Sequence, residues 1–470
     1  MKIIFCYKGR YQIRDAITYE YLSALAQEYK HHTCLVYDQD IFGVTDNILS
    51  LPRLNSKLSR DDRVIKDIIR AAPQLAVFLD GFNRTSWNHK IAARVKRVDS
   101  NIVTVGIFYP GSDLNQDGYD YTLVGEPEFI FAKFLSEQIF SKQKGRYADQ
   151  GLADLDQLPL PDKSLFSRYV HFKDSYLIYT SKGCPYHCSY CEETLYSQKF
   201  GAGYFRRKSP KRVILELERA KKEFASREII YKDSVFAWDK DWLASYLEQY
   251  HQKIHLPYKC FAKAEVFDHS LALMLKQSRC YCLEFGVQTF NQKLKQDVLK
   301  REEQPDLLLK AFAVCDQHQL RYDLDHLFGI PGETEADHLT AARVYLNLKY
   351  LNRIKCHNLT YYKGAEVYAY APKSIKENKC YTADFFSSVA GENQMLASNQ
   401  IFQKYYKILP LLPKPLNLFL LRRSRWRIFK YIPYVFILPL MLVLAVKNND
   451  RRFAIYLKYY PRKLKQALLG

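Results

Sequence analysis

Apolar residues follow two rhythms along this chain. Lys2–Tyr7 and His32–Tyr37 are short apolar runs of strand length, whereas Asp15–Tyr29 places Ile17, Leu22, Leu25 and Ala26 near helical spacing. The alternation then repeats. Arg63–Ala72 reads as a helix, Leu75–Leu79 as a strand, Asn88–Val98 as a helix and Ile102–Phe108 as a strand. Tyr121–Val124 is one more short strand, running into Gly125-Glu126-Pro127-Glu128 and a helix through Leu135. Strands alternating with helices predict a doubly wound, Rossmann-like parallel sheet over residues 1–140, with its ligands at the carboxyl ends of the strands.

Residues 141–172 read as a linker: Lys142, Gln143, Lys144 and Gly145 are polar, and Leu158-Pro159-Leu160-Pro161-Asp162 is stiffened by two prolines. A second alternation follows over residues 173–360. Tyr176–Thr180, Glu228–Tyr231, Lys259–Ala264, Cys282–Val287 and Arg321–Phe328 are strand-like. Phe205–Pro210 leads into a helix carrying Val213, Leu215, Leu217 and Ala220; Trp242–His251, Ser270–Gln277, Ala311–His318 and residues 338–348 complete the helices. That is about six βα units by Phe328, fewer than the eight of a closed barrel, and predicts a partial (β/α)6 barrel. Asn352–Tyr362 reads as a last core strand. Residues 361–470 form a basic, apolar and mainly helical C-terminal region.

Composition narrows the class. At 470 residues, 48% hydrophobic and 15% aromatic, with 37 Tyr, the chain is a packed globular protein of several domains rather than a disordered one. The net charge of +20 is uneven: residues 401–470 hold 15 Lys and Arg against one acid, Asp450, a net +14. Met1-Lys2-Ile3-Ile4-Phe5-Cys6 reads as a first strand rather than a signal peptide, and cysteines scattered without a secretory signal point to the cytoplasm.

Three of the eleven cysteines, Cys184, Cys188 and Cys191, fall in one C-x3-C-x2-C stretch, Ser181-Lys182-Gly183-Cys184-Pro185-Tyr186-His187-Cys188-Ser189-Tyr190-Cys191. Three thiolates suit a [4Fe–4S] cluster whose fourth iron is open to a ligand that is not a side chain. A structural zinc site would need a fourth donor; His187 lies inside the short loop, where closing a tetrahedron is awkward. With an aromatic residue before the third Cys, the stretch resembles the motif of the radical S-adenosylmethionine (SAM) superfamily. The resemblance implies that SAM binds the open iron and is cleaved reductively to a 5′-deoxyadenosyl radical, with electrons from a donor such as flavodoxin or ferredoxin.

Further stretches carry the resemblance. The order of the first domain resembles the cobalamin-binding domain found before many such barrels, and Gly125 and Glu126 stand where those domains carry a Gly-Glu-Gly-Glu loop. The D-x-H-x-x-G signature of a cobalt-ligating His is missing; Asp38-Gln39-Asp40-Ile41-Phe42-Gly43 mimics it after the wrong strand. The resemblance therefore implies cobalamin held without a protein His. Glu284-Phe285-Gly286-Val287-Gln288-Thr289 with Lys300-Arg301, and Asp325-His326-Leu327-Phe328-Gly329-Ile330-Pro331-Gly332-Glu333-Thr334, resemble two further elements of the superfamily. By that resemblance Gln288, Arg301 and Asp325 bound the SAM pocket together with Tyr190, and Glu265 lies near the methionyl end. Lys263 stands where many members carry Arg. Asp233 reads more simply as a hydrogen-bond acceptor at a strand end.

These features imply a cobalamin-dependent radical SAM enzyme that methylates an unactivated carbon. A cobalamin-free cyclisation, rearrangement or oxidation is the alternative within enzymes. A non-catalytic, metal-dependent nucleic-acid or membrane binder is the alternative outside them, opposed by retention of the SAM-pocket stretches. The uncharged run Tyr431–Val446 follows Arg422-Arg423-Ser424-Arg425-Trp426-Arg427 and is too short and too Pro-interrupted to span a bilayer. It predicts attachment to the inner face of an anionic membrane, with Trp426, Tyr431 and Tyr434 at the interface and a lipid-like substrate; a buried helical pair is the competing reading.

Overall fold

The computed structural model describes residues 1–9, 11, 14–39, 60–80, 85–110, 118–376, 398–450, 460–461 and 464–465. The first sheet contains β1 (Lys2–Gly9), β2 (His32–Gln39), β3 (Leu75–Asp80), β4 (Val103–Phe108), β5 (Tyr121–Val124) and β6 (Gly145–Ala148), in the order β2-β1-β3-β4-β5-β6. Every pairing is parallel. Strands this apolar are covered on both faces, as parallel sheets require. The order reverses between β1 and β3, which places the ligand crevice of such a sheet outside their carboxyl ends. β6 comes from the stretch read as linker. It is a short edge strand whose side chains are mostly exposed, so no apolar run announces it. Residues 40–43 of the cobalt-signature mimic lie outside the described residues.

The chain then forms β7 (Tyr176–Ile178), a two-residue hairpin of β8 (Ser181–Lys182) with β9 (Arg206–Arg207), and five further strands: β10 (Ile229–Tyr231), β11 (Tyr258–Ala262), β12 (Cys280–Gln288), β13 (Arg321–Phe328) and β14 (Leu351–Asn358). β7 and β10 to β14 make one parallel sheet in the order β14-β13-β12-β11-β10-β7. This is the expected partial barrel, with β7 and β14 as its edges. Its sixth strand lies beyond Phe328. The helix expected at Ala311 starts earlier, at Pro305, whose missing N–H costs nothing at a first helical position.

The two halves share one continuous core. Helix Arg14–Glu28 lies at the junction and buries every residue from Ala16 to Ala26. Its polar groups reach across the junction: Lys163 Nζ donates to Glu20 at 2.6 Å, Ser23 Oγ donates to Asp162 at 2.6 Å, and Lys208 Nζ donates to Tyr21 at 2.6 Å and to Glu216 at 3.0 Å. Buried charges survive only when paired in this way.

Beyond β14, helix Asn399–Ile408 packs along that edge strand, with Gln403 donating to Asn358 at 2.8 Å. Helices Lys414–Leu421 and Tyr434–Lys447 follow. Trp426 corrects the interfacial expectation: it is fully buried and stacked on Phe402 at 4.1 Å. Tyr434 is half-buried and accepts from Lys407 at 2.7 Å, so of the three expected aromatics only Tyr431 is exposed. Among the described residues no helix is long and apolar enough to cross a membrane.

Candidate functional site

The Cys loop follows β8, whose hairpin partner β9 turns it over the carboxyl end of the barrel. Gly183 makes the turn at φ +83°, with Phe205 Cα and Tyr204 O so close that a Cβ would sit 2.9 and 3.0 Å from them. Asp233, at the end of β10, is fully buried; its Oδ1 accepts from Thr180 N at 2.9 Å, Thr180 Oγ1 at 2.7 Å and Ser181 Oγ at 2.6 Å. It is the strand-end acceptor expected of it, and it anchors the approach to the loop. On the far side Ser189 N donates to Leu299 O at 3.0 Å and Ser189 Oγ to Val298 O at 2.5 Å. Cys191 precedes the first residue of helix Glu192–Phe200, and Thr194 Oγ1 donates back to Cys188 O at 2.9 Å.

Cys184, Cys188 and Cys191 are half-buried and free of disulfides. Burial pushes the Cys184 thiol up to about 11. Among the described residues no three of His, Cys, Asp and Glu are placed to hold a single metal ion. Three thiols on one short loop are a donor set that fits a [4Fe–4S] cluster with one iron left open.

Two of the residues expected to bound a SAM pocket, Gln288 and Arg301, approach this loop from β12 and the segment after it. Arg301 Nη1 donates to Tyr190 OH at 3.2 Å, while Nη2 donates to Gly286 O at 2.7 Å and to Glu303 at 2.6 Å. Arg301 thereby ties the Cys loop to the end of β12. Gln288 ends that strand with φ +63°, beside a break in register, and a Cβ on Gly286 would sit 2.8 Å from Gln288 Nε2. A positive φ at a non-glycine residue is strain of the kind that collects at functional sites. Burial drives the Tyr190 phenol upward despite its arginine partner.

Asp325 lies one strand over, opposite Gly286, and His357 Nε2 approaches its carboxylate at 3.3 Å. Lys263 sits 4.0 Å over the ring of Tyr186 in the Cys loop. Glu265 is exposed in the turn after β11. Thr334 caps the helix Glu335–Tyr345 through a capping box with Asp337, and Glu333 instead turns inward to accept from Gly329 N at 2.7 Å.

Glu126 is fully buried at the junction. It accepts from Ala153 N at 2.7 Å and pairs with Arg206 and, at 3.4 Å, with Lys182. A Cβ on its neighbour Gly125 would meet Asp149 O at 2.6 Å. This loop joins the first sheet to the β8–β9 hairpin. The loops after β1, β2, β3 and β4 fall largely outside the described residues.

Several site residues escaped the sequence reading. Glu303 accepts from Arg301, pairs with Lys295 at 3.0 Å and stands 3.9 Å from Lys263. Burial opposes its charge, but Arg301 and Lys295 outweigh burial and hold the carboxyl down at about 2. Lys295 is pushed down to about 8 by burial, against the pull of Glu303. An acid two residues after Arg301 in extended chain shares its side, and that was the available signal. Arg14, at the start of the junction helix, pairs with Glu193 just after Cys191 and donates to Ser181 O at 3.1 Å. Tyr109, after β4, stacks on Tyr196 of helix Glu192–Phe200 at 4.2 Å. The carboxyl edge of the first sheet is thereby fastened to helix Glu192–Phe200.

This chain shares its fold, a doubly wound sheet docked on an open six-stranded βα barrel, with solved cobalamin-dependent radical SAM enzymes. It aligns with the radical SAM methyltransferase TsrM of Kitasatospora setae, solved with its tryptophan substrate and a SAM analogue, at TM-score 0.57 and 14% identity over 78% of this chain and 75% of that one. The cobalamin-dependent SAM radical enzyme OxsB aligns at TM-score 0.54 and 12% identity, over 70% of this chain and 49% of that one. In sequence, 190 residues are 22% identical to an uncharacterised methyltransferase of Pyrococcus horikoshii, a match spanning 40% of each chain. No protein-family model matches.

Proposed function

We propose that this protein is a cobalamin-dependent radical SAM methyltransferase acting on an unactivated carbon. The observation that carries the reading is the Cys184/Cys188/Cys191 loop, held at the barrel's carboxyl end by Arg301 and Asp233 and fastened through Glu193 and Arg14 to the first sheet. When bound, a [4Fe–4S] cluster with SAM supplies reductive formation of a 5′-deoxyadenosyl radical, and cobalamin supplies a methyl carrier.

The chain's own part is to bind and orient. The three thiols hold the cluster, and Arg301, Gln288, Asp325 and Tyr190 bound the SAM side, with Glu265 toward the methionyl end. Gly125 and Glu126 border the cobalamin side. No protein His is assigned to the cobalt. TsrM, solved with cobalamin and a [4Fe–4S] cluster, supports the cofactor set through shared fold. The +14 charge of residues 401–470 supports peripheral attachment to the inner face of a membrane and a lipid-like substrate.

Anaerobic reconstitution with iron, sulfide and hydroxocobalamin tests this. Mössbauer spectra should show a [4Fe–4S] cluster, the desalted protein should keep corrin absorbance, and dithionite with SAM should release 5′-deoxyadenosine. Cys188→Ala should lose the last of these; a variant that kept both cluster and product would sink the assignment. Cluster and product without corrin would move the protein to cobalamin-free radical chemistry.

A further inference from the structure

Helix Tyr434–Lys447 is apolar on every side, yet only one side is covered. Ile437, Leu444 and Ala445 are buried, Ile437 in the main core and Ala445 in a small cluster with Tyr460, and Asn448 ends the same face by donating to Asn352 O at 2.9 Å. On the sides left uncovered stand Val435, Phe436, Leu440, Val443 and Val446, exposed by 62, 63, 37, 54 and 79%. A helix that is apolar all round normally sits in a core or in lipid.

The exposure is concentrated rather than scattered. Of the sixteen large hydrophobic residues exposed among the described residues, ten lie between Leu416 and Val446, including Phe419, Ile428 and Tyr431. Patches of this kind mark interaction sites. The charge around them has one sign. Residues 414–447 carry Lys414, Arg422, Arg423, Arg425, Arg427, Lys430 and Lys447, all exposed, and no acid. The cations lie among the apolar groups: Arg425 stands 4.0 Å over the ring of Phe419, and Lys430 stands 5.8 Å over that of Tyr431. Among the described residues, Arg427 is the one of these that reaches an acid elsewhere, Glu335 at 2.9 Å.

We propose that this face docks on an anionic lipid bilayer, with the outer side of helix Tyr434–Lys447 in the acyl boundary and the flanking cations at the headgroups. A second copy of the chain is a poorer occupant, because a two-fold contact would press seven cations against seven. A bilayer offers apolar depth and anionic surface together. Helix Tyr434–Lys447 packs on helix Asn399–Ile408, which in turn packs on β14, the edge strand of the unclosed barrel, so the docked enzyme holds that side toward the membrane. The face stands independently of the proposed chemistry. Only its corollary, a substrate drawn from the lipid phase, rests on that reading.

Flotation of the full chain with vesicles of phosphatidylcholine alone, or with phosphatidylglycerol added, tests the docking without turnover. The protein should float with the anionic vesicles and stay down with the neutral ones, and added salt should weaken binding by shortening a screening length of about 10 Å at 0.1 M. Phe436→Glu and Val443→Glu alter exposed side chains, so melting should be unchanged while partitioning falls about tenfold or more for each. Arg422, Arg423 and Arg425 changed together to Gln should remove most of the salt dependence. Wild-type protein that stays down with both vesicles, or Glu variants that float equally well, would overturn the proposal. So would a dimer, seen by light scattering, that Phe436→Glu dissolves, because it assigns the face to a second copy. A chain that makes 5′-deoxyadenosine but does not float refutes the docking alone; one that floats but holds no cluster refutes the chemistry alone.

Discussion

Glu303→Gln would test the electrostatic core of the site. The substitution keeps the shape of the side chain and removes the charge that neutralises Arg301, at 2.6 Å, and Lys295, at 3.0 Å. All three side chains are almost wholly buried, at 7, 2 and 0% exposure for Arg301, Glu303 and Lys295. A carboxyl lowered from an ordinary 4.5 to about 2 contributes about 3 kcal/mol to folding at neutral pH. Removing one member of a buried pair costs about 3–5 kcal/mol, which agrees. Because the folded value is depressed, this stability is present above pH 4.5 and is lost as pH falls toward 2. Lys295 has the complementary sign. Its folded value, about 8 against 10.5, makes its charge a cost at neutral pH that Glu303 offsets. Without Glu303 the lysine should release its proton nearer neutrality and recover part of the loss.

The assay is anaerobic urea unfolding of wild type and variant at matched iron content, from pH 8 downward. The variant should be less stable by about 2–3 kcal/mol from pH 8 to pH 5, and the gap should narrow below pH 4.5. Adding Lys295→Met should return part of the difference, since one of the two buried cations is then gone as well. A penalty under about 1 kcal/mol at pH 7, or a double variant no more stable than Glu303→Gln, would refute the reasoning.

Gly183→Ala should cost about 1–3 kcal/mol, because it combines a left-handed φ with a Cβ pressed on the backbone of Tyr204 and Phe205. Iron bound after reconstitution should fall with it; full iron loading would count against the tight turn as the loop's support. Arg14→Met leaves the buried Glu193 carboxylate with Ser234 as its remaining donor, at 2.6 Å. Since the Arg14 side chain keeps 23% exposure, about 2 kcal/mol is expected rather than the full penalty of a buried pair. Limited proteolysis between residues 149 and 172 should quicken as the halves separate, and an unchanged cleavage rate would show that the remaining junction contacts suffice.

What the sequence carried openly was local. Three Cys within eight residues state a ligand set whatever surrounds them, and parallel strands buried on both faces, such as β3, read as apolar runs between turns. What it hid depends on partners far along the chain. β6 and the β8–β9 hairpin are polar and held by their neighbours, not by pattern. Glu303 gains its role from Lys295, whose one irregular helical turn brings it alongside. Helix Arg14–Glu28 shows apolar residues near one helical face, yet two domains enclose it and its polar residues become the fastening between them.

The C-terminal helix marks where periodicity fails in principle. Amphipathic patterning reveals a buried face by contrast with a polar one. In Tyr434–Lys447 both faces are apolar, so the sequence offers no contrast between Ile437 and Phe436. Their difference, buried against 63% exposed, is decided by which side the neighbouring C-terminal helices cover. The same absence of contrast makes Trp426 look interfacial in sequence. An indole beside four arginines suits a headgroup region, but the kink at Arg423 and Ser424, both with positive φ, turns the ring inward onto Phe402. The arginines stay outside. Charge therefore locates the surface of this region, and apolar content does not.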